Sequence, residues 1–137
     1  MLVRVVALLG ALAAPAGAEA LRLPSGNDAA VLDQIWDEDM DMIRLRYIVP
    51  KLAEPPALYL ADGERVFSDM QWLCEQTLTD LAGAGQDLAA EGWRGAIVTL
   101  LDRPLDFGQR DPSVVQVFES FVFGMDGCDW DDEGIYD

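Results

Sequence analysis

The chain has 137 residues, 51% of them hydrophobic, with 25 Asp and Glu against 9 Lys and Arg and no histidine. That is polypeptide for one domain with a modest core. The formal charge of −16 argues against nucleic acid and anionic membrane surfaces, which need clustered Lys and Arg. The missing histidine removes Ser-His-Asp, Cys-His and His-metal chemistry.

Residues 1–20 read as a secretory signal peptide. Arg4 supplies a positive start, Val5 to Ala14 form an apolar run, and Ala16-Gly17-Ala18 and Ala18-Glu19-Ala20 are small-residue cleavage patterns. The run is too short for the ~20 apolar residues of a spanning helix. No later segment resembles a membrane span, so residues 21–137 are expected to be one soluble domain in the periplasm or outside the cell. Its two cysteines, Cys74 and Cys128, most simply form one disulfide in such a compartment, ahead of free thiols or an intermolecular bridge.

Leu21-Arg22-Leu23 is a short alternating start, closed by the turn formers Pro24 to Asp28. Val31 to Asp37 reads as a strand. Ile43, Leu45, Tyr47 and Val49 alternate with Arg44 and Arg46, the period-2 pattern of a second. Pro50, Pro55 and Pro56 mark an irregular crossing. Residues 64–81 carry the clearest helix: Val66, Met70, Leu73, Cys74, Leu78 and Leu81 fall on one apolar stripe. Asp62 is placed to cap its start, and Gly83 and Gly85 to end it. Ala96 to Leu101 is apolar throughout, as a central strand is. Val114 to Phe123 reads as the last long strand, and Cys128-Asp129-Trp130 as a short edge piece. The order β-β-α-β-β predicts an α+β fold, an antiparallel sheet packed on one main helix. A Cys74–Cys128 bridge would staple that helix near the sheet's edge.

Acid density is the most tempting chemical feature. Asp37 to Asp41 open like a calcium-binding EF-hand loop, but Met42 stands where glycine should and Ile48 where glutamate should. Asp129, Asp131 and Glu133 with Gly134 start better, yet the sequence stops at Asp137 before a twelfth position. They are weak candidates for a calcium-responsive acidic tail, and a solvated tail is the simpler account. Two carboxylates across a cleft would serve a small hydrolase, but in so acidic a chain a suitable spacing arises by chance. No cofactor is expected. Trp72 lies off the helical stripe and is a reasonable anchor for a partner. In the loop after the apolar strand, Arg103 and Arg110 would hold an anion, or else pair with Asp102, Asp106 or Asp111 and fix the loop.

Met70-Gln71-Trp72-Leu73-Cys74, Leu101-Asp102-Arg103-Pro104, Phe107-Gly108, Asp111-Pro112, Phe118-Glu119 and Gly127-Cys128 together resemble a family. It is the group of short, exported alphaproteobacterial proteins of Rhodobacter type, of unknown function and sometimes labelled acetolactate synthase. The resemblance implies a compartment and a layout and carries no activity. The thiamine-cofactor motif that the label would require is absent. The expectation is a non-catalytic binding or interaction module for an unidentified protein or small molecule, with contacts around Trp72 and residues 102–112. A carboxylate-dependent hydrolase and a calcium-responsive tail are the alternatives.

Overall fold

A computed structural model describes residues 20–132; residues 1–19 of the expected signal peptide and the acidic residues from Glu133 onward lie outside the described residues. Six strands form one sheet in sequence order: β1 (Ala20–Arg22), β2 (Asp28–Asp37), β3 (Met42–Ile48), β4 (Gly95–Leu101), β5 (Gln116–Gly124) and β6 (Gly127–Trp130). Between β3 and β4 come a 3-10 turn (Pro50–Ala53), a short helix α1 (Leu58–Ala61) and the long helix α2 (Gly63–Gly83). The α+β class, the single main helix and the Cys74–Cys128 disulfide are as the residue pattern predicts. No helix among the described residues is long and apolar enough to cross a membrane.

The sheet is mixed where uniform antiparallel pairing was expected. β3 and β4 run parallel, Leu45 opposite Val98, while every other neighbouring pair is antiparallel. The cause is the connection: α2 occupies the link between them, and a helical crossover returns the chain in the direction it left. β3 and β4 therefore lie at the centre with both faces covered, and even Arg46 on β3 is buried.

Helix α2 starts where Asp62 accepts the Arg65 N–H at 3.2 Å, satisfying one of the free amides of the first turn. It ends at Gly83, and Gly85 follows in the left-handed region at φ +88°, which costs glycine nothing. Its stripe of Val66, Met70, Leu73 and Cys74 packs on Ile43, Leu45, Tyr47, Val98, Leu100 and Phe121 of the sheet's inner face. The helix lies over β4, β5 and β6 rather than centrally. It is held there by the disulfide, which joins residues 54 apart in sequence, and by the Gln71 Nε2–H donating to the Cys128 carbonyl at 2.9 Å. Phe67 adds an aromatic contact at this end, with ring centroids 5.5 Å from Phe121 and 5.8 Å from Trp130.

Candidate functional site

Displacement of α2 toward β6 leaves a gap at the opposite end. There a groove of about 180 Å³ runs between α2 and the first strands. Trp72, Gln76, Thr77, Asp80 and Leu81 form the helical wall. Leu45 and Tyr47 make the floor, and Val31, Asp33 and Gln34 of β2 make the outer wall. Helix periodicity sets this up, because residues 72, 76 and 80 repeat every four and so share the face beside the core stripe. Trp72 is half-buried: its ring packs on the core while one side lines the groove. The Tyr47 hydroxyl meets Thr77 Oγ1 at 3.4 Å, and Thr77 in turn donates to the Leu73 carbonyl. Burial raises the Tyr47 pKa; the Thr77 contact works against that and the Asp80 charge adds to it. The phenol thus stays neutral on the groove floor, near the Asp80 carboxylate.

The 102–113 loop lies on the other face of the sheet, so Trp72 and the loop form two surfaces and not one. Asp102 and Arg103 serve the loop itself. Asp102 Oδ1 accepts the Val115 N–H at 2.6 Å, and its other oxygen lies 3.8 Å from Arg103. Arg103 also donates to the carbonyl and hydroxyl of Ser113, both at 2.6 Å. Asp106 and Arg110 instead line a cleft of about 270 Å³ with Arg44, Arg46, Phe107 and Phe118. The Phe107 ring lies under two guanidiniums, 5.0 Å from Arg44 and 5.6 Å from Arg46. Those arginines are already engaged: Arg44 with Asp37 at 3.0 Å, Arg46 with Asp33 at 2.7 Å and with the Leu105 carbonyl. Asp129 is exposed on β6, Asp131 donates its N–H to the Ser120 carbonyl, and Glu133 lies outside the described residues. Among the described residues no cluster of three or more His, Cys, Asp or Glu side chains could hold a metal.

Sequence reading missed Asp69. This carboxylate is fully buried, accepts the Tyr59 hydroxyl at 2.6 Å and the Ser25 N–H at 3.0 Å, and so ties α2 to α1 and to the β1–β2 turn. A signal was present: Asp69 interrupts the stripe between Val66 and Leu73, and a carboxylate at a core position needs designated donors. Asp69 also borders a cleft with Asp62 and Glu64. Both Asp62 and Asp69 there spend their oxygens on structural hydrogen bonds.

Fold and groove define a small disulfide-stapled α+β domain whose main helix leaves one end of its sheet uncovered. The chain belongs to a family of unknown function, DUF6497, whose model matches residues 6–132. Neither the curated proteins nor the solved structures contain a match.

Proposed function

We propose that this protein is an exported, non-catalytic binding module of the periplasm and that the groove beside Trp72 is its contact surface. The observation behind this reading is the groove itself: an apolar floor, a half-buried tryptophan and the Asp80 carboxylate, at the end of the sheet that the helix leaves uncovered. Export is supported by the leader-like residues 1–20 and by the disulfide, a bond that persists in oxidising compartments. Origin among exported alphaproteobacterial proteins belongs to the same reading, and an acetolactate synthase activity does not. A hydrolase is disfavoured because Asp62 and Asp69 already hold helix and turn together.

Native mass spectrometry of the protein taken from its host's periplasm tests this. The expected species lacks the leader, is two hydrogens lighter than the dithiol and carries a partner that is lost in Trp72→Ala. A full-length product with two free thiols overturns export. A partner retained unchanged by Trp72→Ala overturns the groove.

A further inference from the structure

We infer that the groove accepts an extended, positively charged segment of a partner protein as an added strand on β2. This rests on the groove being the contact surface. The backbone geometry supports it directly. The Val49 N–H donates to the Leu101 carbonyl and the Arg94 N–H to the Asp41 carbonyl, so odd-numbered residues along β3 turn their backbone groups to β4 and even-numbered ones to β2. In the observed register Arg44 and Arg46 face Ile35 and Asp33. Gln34 and Trp36, in alternation, turn their N–H and C=O away from β3. On that side β1 pairs Ala20–Arg22 with Asp28–Ala30, Ala20 being the first described residue; with the leader removed, as proposed above, no upstream chain is left to lie beside Asp33–Asp37.

A strand laid there would gain main-chain hydrogen bonds from Gln34 and Trp36, and its alternate side chains would enter the groove over Tyr47 against Trp72. Charge selects the occupant. Asp80 puts a carboxylate on the groove, with no basic residue in its lining, while Asp33 turns its carboxylate to Arg46 on the opposite face; the chain as a whole carries a net charge of −16. Lys or Arg on the incoming strand are therefore favoured and acidic segments repelled. A second copy of this chain is a poor occupant for the same reason.

The test starts from the mature, disulfide-bonded protein, panned against a random library of linear dodecapeptides. Recovered peptides are expected to alternate apolar residues with Lys or Arg, to bind more weakly as salt rises, and to slow amide hydrogen exchange at Gln34 and Trp36 of the wild-type protein. Gln34→Pro removes one outward N–H without touching the β3 ladder, a position where an edge strand tolerates proline. It should weaken binding about tenfold, one hydrogen bond's worth; Asp80→Lys, which leaves the backbone intact, should weaken it too. Peptides that depend on Trp72 yet leave both amides exchanging as before overturn strand addition and keep the groove. An acidic or uncharged set overturns the charge assignment. A dimer that protects the same amides without peptide makes a second copy the occupant, and leader residues retained on the folded protein and protecting them make it the chain itself. If no recovered peptide depends on Trp72, both readings fall.

Discussion

The two ends of the sheet are built differently. At the β6 end, a disulfide, the Gln71–Cys128 hydrogen bond and the Phe67, Phe121 and Trp130 rings hold α2 down. At the β2 end the helix stands off, a groove remains, and Asp69 supplies the anchoring by accepting from Ser25 and Tyr59. Dimensions explain why both ends cannot be closed. Six strands at ~4.8 Å spacing span about 24 Å, whereas one helix covers about 10 Å. A single helix must choose, and the covalent link decides which end it covers. The uncovered end is where a ligand surface can exist without unpicking the core.

Removing that link is the severest way to break the contrast. Cys74→Ser with Cys128→Ser should lower unfolding free energy by about 4 kcal/mol, the closure entropy of so long a loop, measured by urea unfolding. Asp69→Ala tests the other anchor. It strands the Tyr59 hydroxyl and the Ser25 N–H, and the expected loss is about 3 kcal/mol, with less for Asp69→Asn. A matched pair of aromatic truncations sharpens the comparison. Phe67→Ala should cost about 3 kcal/mol at the closed end, and Trp72→Ala about 1 kcal/mol at the open end. Equal costs would mean that Trp72 is ordinary core.

Two pH responses are smaller. Burial is the largest cause that raises the pKa of Tyr47 and of Tyr59 above the usual 10.0, and for Tyr59 the neighbouring Asp69 raises it further. The unfolded chain therefore ionises first. Stability is intact below about pH 10 and falls as the pH climbs toward the raised values. Tyrosine absorbance should accordingly rise in step with loss of the circular dichroism signal. Asp111 is shifted the other way, downward, by the hydroxyl and the backbone N–H of Ser113. Its contribution is present above about pH 4 and disappears as the pH falls through the lowered value. Since Asp111 is fully exposed, the expected change is a loss of protection of the Ser113 amide, relative to its intrinsic exchange rate, in acid, with global unfolding unmoved.

Much of this molecule is legible residue by residue. The stripe from Val66 to Leu81, the Asp62 cap, the alternation in β3 and the apolar run of β4 are local patterns. Periodicity within one element reports which of its faces is buried. The cysteine pairing follows equally simply, since an oxidised single domain with two cysteines has one way to bridge them. Tertiary structure alone decided the rest. The parallel β3–β4 pair depends on the path of the crossover, and the burial of Arg46 on the loop that returns over it. The separation of Trp72 from Asp106 and Arg110 depends on which face of the sheet each segment reaches. Local sequence encodes an element's own faces. Which element lies against each face is set by chain path and covalent closure, and those bring together residues that no local pattern connects.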